Sequence, residues 1–457
     1  MQSQQQWMVM GIICASLVHI FMAVESFPIA DRITSLPGQP QVSFQQFSGY
    51  VTVDEKQQRS LFYYFVEAET QPASKPLALW LNGGPGCSSI GAGAFVEHGP
   101  FRPNGDSGNL VKNEYSWNRE ANMLYLESPA GVGFSYSANA SFYTHVNDTI
   151  TAQDNLIFLQ NWFAKFPEYQ DNDFFITGES YAGHYVPQLA QLIIQSGLKF
   201  NLKGINSWNP LLELGIDFNS GDQYYWSHGV ISDATYALLN RVCNSSEMFR
   251  EAIRGTISPA CAFVNIQVSK ELTDFIDKYN VNGDVCISNG QPQMGFLYQP
   301  FRSRFQTLSS PHSESNPPTQ QQSNENEDVC AIENTIKYLN RKDVQKALHA
   351  QVVGFDVHWS ICRSGDQDSV IPFIRTWTLI NKSAKELGLN TTMPYRAWFE
   401  GKQVGGWTKV HELLYFSFHF SKALPVPPSP PPWPKGNSTK VVFVTTTRTK
   451  LNLEITA

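Results

Sequence analysis

The run Gly-Glu-Ser-Tyr-Ala-Gly at residues 178–183 constrains the fold of this chain more than any other feature. The apolar and aromatic residues 174–177 before it predict a short strand, and Val186 and Ile193 after it stand at helical spacing. A sharp turn from a strand into a helix can expose a serine as a nucleophile. The pattern therefore predicts a hydrolase or an acyltransferase in which Ser180 attacks the substrate.

A glycine-rich loop provides a second part of the predicted site. Residues 82–89 read Asn-Gly-Gly-Pro-Gly-Cys-Ser-Ser and follow the apolar, strand-like residues 77–81. Acyl transfer needs two backbone N–H donors aimed at one oxyanion, one from an early loop and one from the residue after the nucleophile. Gly84 and Tyr181 are the expected pair. Without the serine motif, the same loop would be read as an ordinary tight turn after a strand.

Four longer motifs carry a family resemblance. They are residues 81–89 (LNGGPGCSS), 127–136 (ESPAGVGFSY), 176–187 (ITGESYAGHYVP) and 364–372 (SGDQDSVIP). Through them the chain resembles the serine carboxypeptidases, and the plant-type members above all, from about residue 43 to about residue 407. The resemblance implies an α/β-hydrolase fold, with a mostly parallel central sheet and an inserted cap region.

The resemblance also implies roles for individual residues. It assigns Ser180 as the nucleophile, the N–H groups of Gly84 and Tyr181 as the oxyanion hole, and Asn82, Gly83 and Glu179 as the site for the substrate's terminal carboxylate. An anionic glutamate beside an anionic substrate terminus would be repulsive unless the two shared a proton, so we expect peptidase activity to be favoured at acidic pH. On sequence alone, Glu179 could equally be a solvent-facing residue of the turn.

The acid and the base of the triad are less well defined. The resemblance points to Asp368 as the acid, with Asp366 nearer the turn. The segment that leads into this turn in the family is shortened here, so we expect the last strands of the sheet to be incomplete. The family's histidine segment is absent after residue 408, and only His411 and His419 follow Asp368. Loss of one triad member typically costs several powers of ten in rate.

Three functions therefore remain open. The first is a serine-type carboxypeptidase that releases C-terminal residues from peptides through an acyl-enzyme on Ser180, with activity lost if no base replaces the missing histidine. The second is an acyltransferase of the same descent. The third is a catalytically impaired, secreted glycoprotein that binds peptides or a partner. A base next to Ser180 would separate the third from the other two.

The composition divides the chain into successive parts. We expect a signal peptide over residues 1–26, the first half of the core over 27–207, a cap insertion over 208–328, an incomplete second half over 329–408, and a divergent proline-rich tail over 409–457. The Ser-, Gln-, Asn- and Pro-rich stretch 309–327 predicts a disordered loop. A membrane anchor is the alternative interpretation of the apolar N-terminal stretch.

The cysteines and sequons favour the secretory pathway, with an extracellular or vacuolar destination. Removal of Cys14 with the signal peptide leaves six of the seven cysteines, which suits three disulfides in an oxidising compartment. The family pattern implies the pairs Cys87 with Cys362, Cys243 with Cys261, and Cys286 with Cys330. The predicted glycosylation sites are Asn139, Asn147, Asn244, Asn381, Asn390 and Asn437.

Charge and motif content limit the partners. The net charge of −7 is mild and no basic stripe is present, which argues against nucleic acid as a partner. The sequence has neither a phosphate-binding Gly-Lys-Ser/Thr loop nor a histidine-rich metal signature, so we expect no cofactor and no metal. The expected partners are the C-termini of peptide substrates, and the resemblance leaves a homodimer open. After cleavage of the signal peptide, no attachment to a membrane is expected.

Overall fold

The structure is a computed structural model. It describes residues 28–105, 108–254, 256–272, 276–277, 281, 284–288, 291–292, 328–350, 358–362, 385, 388, 390–400, 403–411, 414–419, 441–446 and 452–456. The predicted signal peptide, the loop 309–327, Asp366 and Asp368 lie outside the described residues.

Strands and helices alternate through the first half of the described chain. The strands are β1 Gln46–Asp54, β2 Arg59–Val66, β3 Leu77–Leu81, β4 Phe101–Asn104, β5 Asn109–Lys112, β6 Asn122–Leu126, β7 Tyr136–Ser137, β8 Phe174–Glu179, β9 Leu202–Trp208, β10 Ile287–Ser288, β11 Gln291–Pro292, β12 Thr391–Glu400, β13 Gln403–His411, β14 Leu414–His419, β15 Val441–Thr446 and β16 Asn452–Thr456. The α-helices are α1 Asp148–Lys165, α2 Ala182–Ser196, α3 Leu214–Ser227, α4 Asp233–Arg241, α5 Ser245–Arg254, α6 Pro259–Glu271, α7 Ala331–Leu339 and α8 Lys342–Ala347. A π-helix spans Ser89–Glu97, and short 3₁₀ helices span Ile29–Asp31, Pro72–Ser74, Trp117–Arg119, Ala140–Thr144 and Pro167–Tyr169.

One large mixed sheet organises these elements. Its order is β1-β2-β6-β3-β8-β9-β15-β16-β14-β13-β12, and β7 pairs with β2. The first strands, β1, β2 and β6, pair antiparallel, whereas β6, β3, β8, β9 and β15 run parallel to their neighbours. Strands β3, β6 and β8 are buried along their whole length, because parallel strands in the middle of a sheet are covered on both faces. The predicted α/β-hydrolase fold is confirmed.

Helices cover both faces of the sheet. On one face, α1 and α2 pack over a core that includes Leu79, Phe158 and Ile176. On the other face, the π-helix, α7 and α8 cover a second core rich in aromatic side chains, with Trp80 and Trp208 among them. The central strands therefore carry apolar side chains in both directions, which explains their continuous hydrophobic runs.

The predicted insertion contains a small helical layer of its own. Helices α3 to α6 enclose a cluster built around Leu239 and Val264, and the disulfide between Cys243 and Cys261 lies in this cluster. A second, smaller cluster of Leu211, Phe218 and Phe249 contacts Tyr181. The insertion thus contacts the residue that follows the predicted nucleophile.

The tail supplies strands in the described structure. Strand β15 pairs with β9 in parallel, and β14 pairs with β15 in parallel, so residues of the tail continue the sheet beyond the first half of the core. Strands β12, β13 and β14 form an antiparallel series next to them. The disulfides join Cys87 to Cys362, Cys243 to Cys261 and Cys286 to Cys330, as the family pattern implied. Within the described residues, no helix combines the length and the apolar composition that crossing a bilayer requires.

Candidate active site

Ser180 stands on a sharp turn between β8 and α2. Its φ angle is +56°, in the left-handed region that a non-glycine residue adopts only at some cost. The surrounding backbone holds this conformation: the Ser180 N–H donates to the Trp208 carbonyl at 2.9 Å, and the Ser180 carbonyl accepts from Leu211 N at 2.8 Å and from Gly183 N at 2.9 Å. The predicted nucleophile turn is present. Hydrogen bonds to strand β9 and to the loop after β9 hold the turn in this conformation.

The two glycines of the motif permit close approach. A Cβ atom on Gly178 would lie 2.5 Å from the Leu81 carbonyl oxygen, and one on Gly183 would lie 2.6 Å from the Leu211 carbonyl oxygen. Real Cβ atoms do not come this close to backbone, so a side chain at either position would push the turn away from β3 or from the loop after β9. The glycines therefore serve packing around Ser180.

The glycine-rich loop packs directly against this turn. A Cβ atom on Gly83 would lie 2.3 Å from the Tyr181 nitrogen and 2.9 Å from the Ser180 Cβ atom. Gly84 has a φ angle of +108° and precedes a cis peptide bond to Pro85. The structure thus brings Gly83, the residue before Gly84, next to Tyr181, and an oxyanion hole made of the Gly84 and Tyr181 N–H groups requires such an approach of the loop to the turn.

Asn82 and Glu179 are joined by a hydrogen bond. The Asn82 Nδ2 atom donates to Glu179 Oε1 at 2.8 Å, and both side chains are buried, with exposed fractions of 3% and 8%. The interpretation of Glu179 as a solvent-facing residue is therefore wrong. The fold brings together Asn82, Gly83 and Glu179, the three residues predicted to bind a carboxylate, although two of them come from one loop and the third from β8.

Trp80 orients the Asn82 side chain, a role that the sequence analysis missed. Its Nε1 atom donates to Asn82 Oδ1 at 2.6 Å, and the Asn82 backbone N–H donates to Ser89 Oγ at 3.0 Å. Because the amide oxygen accepts from Trp80, the amide nitrogen must face Glu179. The only sequence signal for this role is a tryptophan two residues before the asparagine.

Asp148 holds the Tyr181 side chain from the start of α1. The Tyr181 hydroxyl donates to both Asp148 carboxylate oxygens at 3.2 Å, and the His184 ring stacks on the Tyr181 ring with 4.8 Å between centroids. The His184 Nδ1 atom lies 3.7 Å from Asp148 Oδ2. Burial, together with the Asp148 carboxylate, raises the pKa of Tyr181, so its hydroxyl stays a donor. The sequence analysis did not identify Asp148.

Comparison of the sequence with known proteins identifies the family of this chain. The family model described as serine carboxypeptidase (Peptidase_S10) matches residues 37–365. The chain belongs to the serine carboxypeptidase family. It is 50% identical to serine carboxypeptidase-like 45 of Arabidopsis thaliana over 443 residues, covering 90% of this chain and 91% of the relative. It is 53% identical to serine carboxypeptidase-like 46 of the same plant over 437 residues, covering 88% of this chain and 89% of the relative.

A solved structure is similar to this serine carboxypeptidase family member in fold. The prohormone-processing carboxypeptidase KEX1(DELTA)P of Saccharomyces cerevisiae matches with a TM-score of 0.56 and 19% identity, covering 84% of this chain and 89% of that one. At this identity the likeness bears on the fold alone. It supports the α/β-hydrolase architecture for this carboxypeptidase-like chain.

Among the described residues, the two histidines that follow Asp368 in the chain do not lie next to the Ser180 turn. Asp368 lies outside the described residues. His411 ends β13, and His419 ends β14, which is separated from β8 by β15 and β9. Three strand spacings amount to about 14 Å of backbone separation. A general base must lie within hydrogen-bond reach of the serine, and neither strand position is adjacent to the turn.

The remaining predicted positions fall on the surface or outside the described residues. Asn139 and Asn147 are exposed, Asn244 is half-buried and Asn390 is exposed. Asn381 and Asn437 lie outside the described residues. Cys286, Cys330 and Glu333 form a group of potential metal ligands, but the two sulfur atoms are joined to each other in a disulfide. A disulfide sulfur is not the thiolate that a metal ion binds, so this group is not suited to a metal.

Proposed function

We propose that this chain is a serine-type carboxypeptidase, with Ser180 as nucleophile and the C-terminal carboxylate of a peptide as the recognised group. The observation that carries the proposal is the hydrogen bond between Asn82 and Glu179 beside the Ser180 turn. The family assignment is consistent with it. We also propose that the protein works in the secretory pathway, at an extracellular or vacuolar destination, where its three disulfides would be stable.

The orientation of the Asn82 amide favours a carboxylate ligand. Trp80 donates to the amide oxygen, so this group turns its two N–H donors toward the site, and only one of them can point at Glu179 Oε1. The second N–H suits an acceptor such as a carboxylate oxygen. A shared proton between Glu179 and the bound terminus would relieve their repulsion and would favour binding at acidic pH.

The proposed reaction proceeds in two acyl-transfer steps. The Ser180 oxygen attacks the carbonyl carbon of the last peptide bond and loses its proton to a base, while the Gly84 and Tyr181 N–H groups stabilise the oxyanion. Collapse of the tetrahedral intermediate breaks the C–N bond, and the departing amino acid takes up the proton. Water then attacks the acyl-enzyme, returning the proton to Ser180 and releasing the shortened peptide.

A probe and a matched pair of peptides test the proposal. The secreted full-length chain is treated with a fluorophosphonate at acidic and neutral pH, with Ser180→Ala as the control. An N-blocked dipeptide is then compared with its C-terminal amide. Labelling lost in the control, with preferential cleavage of the free acid, would support a carboxypeptidase. Labelling followed by transfer from a sugar ester to an alcohol, without peptide cleavage, would instead support an acyltransferase.

The positions of His411 and His419 favour a second candidate function. Both lie on strands that are separated from β8 by β9 and β15, so the backbone of the described strands does not place either histidine beside the Ser180 turn. This arrangement would suit a secreted glycoprotein that binds peptide C-termini without cleaving them. Calorimetric titration with the free-acid dipeptide tests this function. Binding of the free acid but not of the amide, with no fluorophosphonate labelling, would identify a binding protein.

A further inference from the structure

A buried carboxyl group lies behind the glycine-rich loop and takes no part in the reaction proposed above. Glu127 directly follows β6, and its side chain is fully buried. Its Oε1 atom accepts a hydrogen bond from Ser88 Oγ at 2.6 Å. A Cβ atom on Gly133 would lie 2.0 Å from Glu127 Oε2, so a glycine at that position leaves room for the carboxyl group.

The backbone of Glu127 is anchored in the sheet. Its N–H donates to the Phe62 carbonyl at 3.0 Å, and its carbonyl accepts from Ser135 Oγ at 2.6 Å. The carboxyl group therefore projects from a rigid position, and whatever it binds is held relative to the core. A side chain fixed in this way can define the position of a neighbouring loop.

Ser88 links the carboxyl group to the glycine-rich loop. Its oxygen accepts the Gly91 N–H at 2.7 Å, so its own hydrogen is directed to Glu127. The residue before it, Cys87, donates its N–H to the Gly83 carbonyl at 3.0 Å. The residue after it, Ser89, accepts from the Asn82 N–H at 3.0 Å. Ser88 thus stands between the two residues that hold Asn82 and Gly83.

We propose that Glu127 is a positioning residue for the glycine-rich loop. While its carboxyl group is protonated, it holds this loop in place through Ser88, and when the carboxyl group ionises, the loop is released. The inference rests on the proposed function, because it assigns the loop to the chemistry of Ser180. In this proposal Glu127 acts on the chemistry of Ser180 only through that loop.

The buried surroundings of the Glu127 carboxyl group explain why its ionisation would affect the position of the glycine-rich loop. Burial raises the pKa of Glu127 to about 8, against the opposing effect of its hydrogen bond with Ser88. Tyr50 on β1 also faces this carboxyl group, and Tyr136 on β7 packs against Tyr50. Burial raises the pKa of Tyr50, so that phenol stays neutral while Glu127 titrates. An ionised carboxylate in this site favours exposure to water, and the segment that covers it carries Ser88.

Hydrogen exchange and labelling test the inference together. The full chain, Glu127→Gln and Ser88→Ala are compared from about pH 5 to about pH 9, by exchange of the peptide covering residues 82–91 and by the fluorophosphonate labelling rate of Ser180. With a carboxyl group that titrates near pH 8, we expect wild-type labelling at pH 9 to be about tenfold slower than that of Glu127→Gln, once both are normalised at pH 5. Loop exchange, corrected for the intrinsic pH dependence, should rise over the same range in the wild type only.

Each result decides the inference. Ser88→Ala should raise loop exchange at every pH, because it removes the link while leaving the carboxyl group in place. The proposal would be overturned if the labelling rate and the loop exchange changed equally in the wild type and in Glu127→Gln between about pH 5 and about pH 9. It would also be overturned if loop exchange in Ser88→Ala equalled that of the wild type. If the wild type is never labelled, the proposed catalytic function fails, whereas the exchange data still decide the role of Glu127. If Glu127→Gln is not secreted, the role of Glu127 is decided by loop exchange in Ser88→Ala and by the pH profile of loop exchange in the wild type.

Discussion

The Asn82 side chain donates a 2.8 Å hydrogen bond to the Glu179 carboxylate, although the two residues are 97 positions apart in the chain. The bond connects the glycine-rich loop to the last residue of β8, immediately before Ser180. It places a buried amide and a buried carboxylate beside the Ser180 turn.

Replacing Glu179 by Gln should separate terminus binding from serine reactivity. The variant keeps the shape and loses the group that would share a proton with the substrate carboxylate. We expect KM for a free-acid dipeptide at acidic pH to rise about tenfold to a hundredfold, the range expected for a hydrogen bond to a charged group. The labelling rate with a small fluorophosphonate should change by less than about threefold. A parallel fall in labelling and cleavage would contradict a specific role in binding the terminus.

Gly83→Ala should disable the serine with little loss of fold. The added Cβ atom would meet the Tyr181 nitrogen at 2.3 Å, so the loop or the turn must move and the oxyanion donors must separate. We expect fluorophosphonate labelling to slow by about a hundredfold or more, as for loss of one oxyanion donor. Gly215→Ala is the matched control, because its nearest neighbour is a flexible arginine atom at 3.5 Å. Equal labelling rates in the two variants would count against the predicted oxyanion hole.

The disulfide between Cys87 and Cys362 should matter more for the site than the one between Cys243 and Cys261. The first adjoins the glycine-rich loop, whereas the second lies within the helical insertion. Replacing either pair by serines should cost about 2–5 kcal/mol of unfolding free energy, as measured by chemical denaturation. Only the Cys87 and Cys362 pair should also reduce labelling of Ser180 under conditions where the protein remains folded. Identical labelling of the two double variants would show that the bridge does not position the loop.

Stability should fall at alkaline pH because of Glu127. Burial raises the pKa of this carboxyl group from 4.5 to about 8, so between these values the folded state binds a proton that the unfolded state has released. The contribution is therefore fully favourable below about pH 4.5 and declines as pH rises, by up to about 1.4 kcal/mol per pH unit, until about pH 8. Glu127→Gln should flatten this part of the curve of unfolding free energy against pH. A variant that follows the wild-type slope would show that other groups cause the decline.

Asn147 should carry a glycan without loss of its helix cap. Its Oδ1 atom accepts the Ile150 N–H at 3.0 Å at the start of α1, and the side chain is exposed. Glycan attachment uses the amide nitrogen, so the cap can persist. The mass lost on enzymatic deglycosylation should be smaller by one glycan in Thr149→Ala than in the wild type, and should be unchanged in Thr149→Ser. Asn147→Asp, which keeps a capping oxygen, should lack the same glycan with a smaller stability cost than the roughly 1 kcal/mol expected for Asn147→Ala. Equal mass losses in the wild type and Thr149→Ala would show that Asn147 carries no glycan.

The sequence by itself determined the local elements and the kind of fold. The apolar runs of β3 and β8, the glycines at 178 and 183, and the four family motifs predicted an α/β-hydrolase with Ser180 on its nucleophile turn, and they implied the three disulfide pairs. The strands and the turn could be read directly because strand burial and turn geometry depend on residues that are neighbours in the chain, whereas the fold class and the disulfide pairs followed from the family resemblance.

Only the tertiary structure decided which side chains hold one another around that turn. Trp80 orients Asn82, Asp148 holds Tyr181, and Glu127 anchors Ser88, and none of these pairings has a local signal strong enough to predict it. It also decided that Glu179 is buried. The physical reason is that hydrogen-bond partners and desolvation are set by the packing of β3, β6, β8 and α1 against one another, which brings together residues far apart in sequence.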